Sequence, residues 1–341
     1  MKNRKGWSAC LVLLILVGAV LVWSQCRTPQ TGSYQYDEGL IFNTIYHFSY
    51  QAKENYQSQI EEELQRFDSS LSPFNPTSII SRFNDNDTTV VADNWFTTVF
   101  DRSMEIWRDT EGAFDPTVSP LVNLWGFGFK SGIAVTPEVV DSLHGLVGME
   151  RLVLSDGRLY KDDSRMTLDF SAIAKGYAVD VVASFLQEKG VENYLVEIGG
   201  EIRAHGHNSQ GKSWRIGIDT PDESNVAGGE IEAVMLLDDA ALATSGNYRN
   251  YRIVNGQRVA HTIDPVSGYP IQHTLLSATV LAPDCMTADA YATAFMVLGV
   301  EKSLEIVARH PELETFLIYA VDSVQTAVTY SPGMKQYLFG D

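Results

Sequence analysis

The chain has 341 residues, 45% of them hydrophobic and 20% charged, an ordinary globular balance with enough apolar material for a large core. A formal charge of −18 argues against a nucleic-acid partner and against docking of the folded part on anionic lipid. The cysteines are Cys10, Cys26 and Cys285; with the leader set aside they offer neither a disulfide framework nor a thiol pair for zinc.

Lys2, Arg4 and Lys5 precede an uninterrupted apolar run from Ala9 to Trp23, short for a spanning helix and suited to a secretory h-region. Cys26 follows, which fits a lipoprotein signal, although Gln25 is bulkier than the small residue usual before an acylated cysteine. An uncleaved anchor and ordinary secretion are the alternatives, and all three put the folded part outside the cytoplasm. Residues 1–25 therefore read as a signal peptide or N-terminal membrane anchor, 26–37 as a polar tether, and 38–341 as one compact unit.

Ile41 to Tyr50 has strand-like content, and Tyr56 to Leu71 carries Ile60, Leu64 and Phe67 at helical spacing. A turn-rich loop with Phe74 leads to a second amphipathic helix from Trp95 to Asp109, which stops near Gly112. The aromatic stretch from Ala113 through Phe114 and Asp115 to Gly128 has neither period, so it covers either the protein's own core or a flat ligand. After a short helix from Pro137 to Leu143, strands are expected at 151–154 and 166–170. The second runs into a helix capped by Ser171, with Ile173, Tyr177, Val181 and Phe185 on its apolar face. Lys175 in the first turn opposes the helix dipole. It is either a solvated lysine or a cation that holds a phosphate against free N–H groups.

Tyr194 to Arg203 reads as a strand interrupted at Gly199–Gly200, and strands follow at 214–219 and 231–237. A turn is expected at 243–248 and another at Ser267–Gly268. The strand from Leu276 to Leu281 feeds a helix started by Pro283 and Asp284 and closed by Gly299. A helix over 302–309 and strands over 315–320 and 326–330 complete an α+β pattern of mixed, largely antiparallel sheets packed with helices.

In the helix before Gly299, Asp289 and Thr293 lie four apart and project from one face. Both are hard oxygen donors of the kind Mg²⁺ prefers; equally, a small-residue helix could bury Asp289 against a neighbouring N–H. No G-x-G-x-x-G turn, G-x-S-x-G elbow or H-E-x-x-H occurs. The residues themselves reach as far as a metal-assisted reaction on a phosphate-bearing aromatic ligand.

Six groups of segments stand out together: Ala113 to Val118 with Leu121 to Gly128, Leu168–Asp169 with Ala172 to Ala178, Glu197 to Glu201, Thr244 to Tyr248, His261 to Pro265, and Pro283 to Thr293. In content and order they resemble the ApbE family, the FAD:protein FMN transferases. The resemblance implies an enzyme that moves the FMN half of FAD onto a threonine hydroxyl of a target protein as a phosphoester, with Mg²⁺, releasing AMP. It implies acceptors such as redox-pump subunits or extracytoplasmic flavin carriers, and often an exported lipoprotein on the periplasmic side of the membrane, in keeping with Cys26.

Carried onto this sequence, the resemblance makes the Asp289 and Thr293 side chains metal ligands, with the backbone carbonyls of Ala172 and Ala292. FAD would be held by Phe42, Phe74, Ala113, Phe114, Asp115, Asp169, Lys175, His261 and Ile263. Catalysis would rest on Lys175, Asp289 and, as base, His261, which by its type titrates near neutrality; His261 is equally readable as a strand residue bonded to its own turn. Phe74 stands where tyrosine is frequent and Ser119 replaces a usual glycine. A hydrolase splitting FAD into FMN and AMP, and a non-catalytic exported FAD-binding protein, are the alternatives.

Overall fold

A computed structural model describes residues 32–128, 134–221, 230–247, 251–254, 257–322 and 325–340. In chain order, the elements begin with β1 (Ser33–Ile41), β2 (Thr44–Ala52), α1 (Gln57–Leu71), α2 (Ile79–Asn84), α3 (Asn94–Asp109), α4 (Ser119–Leu124) and α5 (Pro137–His144). Next come β3 (Leu152–Ser155), β4 (Arg158–Lys161), α6 (Ala174–Glu188), β5 (Tyr194–Ile198), β6 (Glu201–His205), β7 (Trp214–Asp219) and β8 (Ile231–Leu237). The chain continues through β9 (Asp239–Gly246), β10 (Tyr251–Val254), β11 (Gln257–Ala260), β12 (Leu275–Ala282), α7 (Cys285–Arg309), β13 (Glu314–Ala320) and β14 (Thr326–Tyr330).

One eight-stranded sheet, in the order β1-β2-β5-β6-β9-β12-β13-β14, organises the molecule. Every neighbouring pair in it is antiparallel, as the α+β expectation required. The middle strands of the sheet are buried on both faces, and residues alternate between those faces along the strand. In β9, Ala241 and Ala243 join the main core under α6 and α7, while Ala240 and Leu242 join a second core closed by the β7–β8 ribbon and Met334. Among the described residues no helix is long and apolar enough to cross a membrane, and residues 1–31 lie outside them.

The helix expected at 56–71 is α1, with Ile60, Leu64 and Phe67 buried, and the strands at 214–219 and 231–237 fall where expected. Asp284 caps α7, accepting from Thr287 N at 2.8 Å, and the backbone leaves helical geometry at Gly299 (φ 77°) before helix resumes to Arg309.

Other expectations are corrected. The tether expected over 26–37 ends earlier, because Ser33 to Asp37 already belong to β1. Phe42 and Asn43, at φ 51° and 58°, form the two-residue turn that joins β1 to β2. The interrupted strand at 194–203 is a hairpin: Gly199 (φ 64°) and Gly200 (φ 103°) make its turn, and Glu201 starts the return strand. The turn expected at 243–248 is strand as far as Gly246, paired with β12, and Tyr248 lies outside the described residues.

Residues 166–170 form no ladder. Leu168 pairs through its N–H and C=O with the side chain of Asn84, and Asp169 N donates to Pro116 O. Ser171 caps nothing, since its N–H and hydroxyl both donate to Asp169, and α6 begins only at Ala174. The apolar face drawn through Tyr177, Val181 and Phe185 is only half-buried; the fully buried side of α6 is Gly176, Val179, Ala183 and Leu186.

Gly206 to Ser213 has the G-x-x-x-x-G-K-S spacing of a phosphate loop, but it connects β6 to β7 and so opens no helix. Asn208 organises it, accepting from Gln210 N and Lys212 N and donating to Ser213 O.

Candidate active site

A cavity of about 470 Å³ lies where α6, α7, β6 and β9 meet the loops after α3 and before β12. Ala113, Phe114, Asp115, Asp169, Ala172, Lys175, Glu201, Ser245, His261, Ile263, Asp289 and Thr293 line it. A second, apolar cleft of about 260 Å³ is formed by Phe42, Phe67, Leu71, Pro73 and Phe74, and Ser171 and Lys175 line both.

The floor is the contact between the starts of two helices. Gly176 N donates to Asp289 Oδ2 at 3.0 Å. A Cβ on Gly176 would lie 2.2 Å from Cys285 O and 2.8 Å from Asp289 Cβ, so only glycine allows α6 to seat on α7 this closely. Asp180, one turn further along α6, accepts from Cys285 N at 2.9 Å and Met286 N at 2.8 Å and pairs with Arg203 Nη1 at 2.8 Å. It thereby satisfies two of the N–H groups that a helix start leaves open. Burial pushes Asp180 up to about 6, against its two backbone hydrogen bonds and Arg203.

Asp289 is buried, 3% exposed, and burial raises its carboxyl above the usual range although Lys175 and the Gly176 N–H pull it down. Lys175 Nζ lies 2.5 Å from Glu201 Oε2, a carboxylate with a side chain only 5% exposed. Burial, partly offset by Lys175 and reinforced by Asp289, pushes Glu201 up to about 7. Burial works against the charge on Lys175, but Glu201 and Asp289 outweigh it and hold the ammonium pKa above its ordinary value. One ammonium thus serves two buried acids in this part of the cavity.

Some of the amides expected to be free for a phosphate at the α6 start are already engaged. Ala174 N donates to Phe170 O, Gly176 N is taken by Asp289, and the two helices touch. Lys175 itself lines the cavity beside this contact.

Thr293, one turn along α7 from Asp289, has its Oγ1 3.2 Å from Ser245 Oγ at the end of β9. Asp115 is a loop organiser: it accepts from Thr117 N at 2.7 Å, Thr117 Oγ1 at 2.5 Å and Met149 N at 3.3 Å, and burial pushes it up to about 6. Asp169 binds Ser171 in the same way. The His261 ring stands edge-on to Phe127, centroids 6.3 Å apart.

Most of the residues marked in the sequence converge here, with three exceptions. Phe42 and Phe74 line the neighbouring apolar cleft, and Ala292 is fully buried inside α7 without lining either space. Glu201 and Ser245 line the cavity although the sequence marked neither. Both lay inside motif segments already noted, but only the folded hairpin and strand bring their side chains to Lys175 and Thr293.

For a hard divalent cation the donors are of the right kind: the Asp289 carboxylate, with Oδ2 on Gly176, and the Thr293 hydroxyl, at a cavity that Ala172 also lines. Among the described residues no cluster of three or more His, Cys, Asp or Glu side chains could hold a metal.

Residues 42–317 match the ApbE family. The chain belongs to the ApbE family. ApbE relatives include the FAD:protein FMN transferase of Haemophilus influenzae, 39% identical over 84% of this chain and 86% of its own length. The FAD:protein FMN transferase of Vibrio cholerae is 36% identical over 95% of this chain and 96% of its own. The solved structure of the flavin transferase ApbE from Vibrio cholerae superposes with a TM-score of 0.80 at 34% identity, covering 89% of this chain and 99% of that one. The ApbE match spans the residues that line both the cleft and the cavity, from Phe42 to Val297.

Proposed function

We propose that this ApbE-family chain is a Mg²⁺-dependent FAD:protein FMN transferase that joins the FMN half of FAD to a threonine hydroxyl of an acceptor protein and releases AMP. One observation carries the reading: Asp289, Thr293, Lys175 and the His261–Ile263 segment meet in one cavity that adjoins an aromatic cleft. A flavin needs flat apolar surface, and its pyrophosphate needs cations and dipoles beside it.

The threonine oxygen attacks the FMN-side phosphorus, the anhydride P–O bond breaks, and AMP leaves with the bridging oxygen. Lys175 holds its ammonium against the charge that grows on the phosphate oxygens. His261, which lines the cavity, would accept the threonine proton, and Phe42 and Phe74 would offer ring surface in the cleft. Asp289 and Thr293, with the Ala172 carbonyl, would hold Mg²⁺, which when bound supplies charge neutralisation at the pyrophosphate. The leader before Cys26 supports an exported protein, acylated at Cys26 and held on the periplasmic side of a membrane. Acceptors there would be redox-pump subunits or extracytoplasmic flavin carriers.

The test is to incubate the purified protein with FAD, Mg²⁺ and a threonine-bearing acceptor peptide, with and without EDTA. A mass gain of one FMN on the peptide, with AMP released only when peptide and metal are present, is the expected result. AMP release without peptide would make the protein a FAD pyrophosphatase, and FAD binding without any product would make it a carrier.

A further inference from the structure

Lys175 stands between two carboxylates, and the structure gives it to one of them. Its Nζ is 2.5 Å from Glu201 Oε2, whereas its influence on Asp289 is felt through charge without an ion pair between them. Asp289 lines the same cavity as Lys175, and Gly176, the next residue of α6, donates its N–H to Asp289 at 3.0 Å. Glu201 is 4% exposed, and Oε2 makes no hydrogen bond of good geometry, so that oxygen has the ammonium as its compensation. Burying such a carboxylate is costly unless a cation is kept beside it. The tight Gly199–Gly200 turn fixes where β6 begins and hence where this carboxylate sits.

We propose that Glu201 is a positioning residue: it holds the Lys175 ammonium off Asp289, so that the Asp289 carboxylate stays open to a divalent cation. The proposal rests on the reading of Asp289 as a cation ligand. Gly176 engages Oδ2 of that carboxylate, and an ammonium on Oδ1 would take a lone pair of the other oxygen and repel a metal cation from the same group. Glu201 prevents this by being the nearer partner. In this arrangement Lys175 remains charged and at the cavity, available to an anionic substrate.

The experiment measures Mn²⁺ binding, by the loss of the free-ion paramagnetic resonance signal, in the FAD-free protein. It compares wild type, Glu201→Gln, Lys175→Met and the double variant, each checked for folding by circular dichroism. Glu201→Gln is expected to bind Mn²⁺ about tenfold more weakly, the usual scale for losing an outer partner of a metal ligand. The double variant is expected to regain wild-type affinity, because the displaced ammonium is gone. A crystal structure of Glu201→Gln should show the Lys175 Nζ on Asp289.

Unchanged Mn²⁺ affinity in Glu201→Gln overturns the proposal, as does a double variant as weak as Glu201→Gln, which would mark Glu201 as a merely structural residue. An ammonium still at residue 201 in the crystal overturns it too. Wild-type protein that takes up no Mn²⁺ would overturn the cation-ligand reading and the proposal with it. That outcome is distinct from wild-type binding with an unaffected Glu201→Gln variant, in which only the proposal fails.

Discussion

Gly176 and Asp289 meet twice, through the hydrogen bond from Gly176 N to Asp289 Oδ2 at 3.0 Å and through a backbone approach that leaves no room for a Cβ. A methyl group at 176 would have to push Cys285 O and Asp289 Cβ away, and both belong to the same turn of α7. Gly176→Ala should therefore destabilise the protein by about 1–3 kcal/mol, the scale of overpacking in a tight core. Transferase activity should fall further than stability, because the displaced turn carries Asp289. Thermal unfolding and FMN transfer, measured on the same preparation, check this; wild-type activity in a folded Gly176→Ala variant would refute the link between helix packing and site geometry.

Thr293 and Ser245 test the donor set from its other side. Thr293→Val keeps the shape but removes the hydroxyl that lies 3.2 Å from Ser245 Oγ. It should weaken Mn²⁺ binding about tenfold, with Thr293→Ser close to wild type, while Asp289→Asn, which removes the charged ligand, should lose more. Equal affinity in Thr293→Val and wild type, read by isothermal titration, would remove Thr293 from the ligand set.

What could be read from the sequence follows the range of the interactions involved. Asp289 and Thr293 share a helix, so their common face follows from the helical period alone, and the cap at Asp284 and the break at Gly299 are likewise local chemistry. Glu201 acquires its role only when the β5–β6 hairpin carries it to Lys175, and no spacing along the chain encodes that distance. Ser171 has the residue type of a helix cap, but Asp169 takes its N–H and hydroxyl first and delays the helix to Ala174. The pairing of 168 with Asn84 replaced an expected strand for the same kind of reason: a side chain from far along the chain supplied the partners that a ladder would have given.

The buried acids make stability depend on pH. Asp115 and Asp180 are pushed up to about 6 by burial, so the folded state binds their protons more tightly than the unfolded chain, where an Asp titrates at about 3.9. Between about pH 4 and pH 6 the folded state holds more protons, and stability falls as pH rises through that window. Each carboxyl contributes on the order of 3 kcal/mol across it. The exposed Asp87 and Asp163, both held below the usual range by hydrogen bonds, act in the opposite sense and only at lower pH. The melting temperature should decline from pH 5 to pH 7, and Asp115→Asn should flatten the decline; a melting temperature that rises over that interval would contradict the assignment.

Phe74 is the residue whose role is most separable from folding. It is 58% exposed, yet it lines the apolar cleft with Phe42, Phe67 and Leu71, and Lys175 at the edge of that cleft also lines the main cavity. A large aromatic left this open adds little to the core, so Phe74→Ala should change stability by no more than about 0.5 kcal/mol. If the cleft receives a ring of FAD, the loss of stacking should weaken FAD binding about tenfold, since a ring–base stack is worth roughly 1–3 kcal/mol. Phe74→Tyr keeps the ring and should bind as wild type does, with the added hydroxyl directed to solvent or phosphate. Quenching of flavin fluorescence reports the affinities without requiring turnover, and the melting temperature reports the fold. Unchanged FAD affinity in a stable Phe74→Ala variant would mean that the cleft is not a flavin or adenine site, and that the main cavity alone holds the nucleotide.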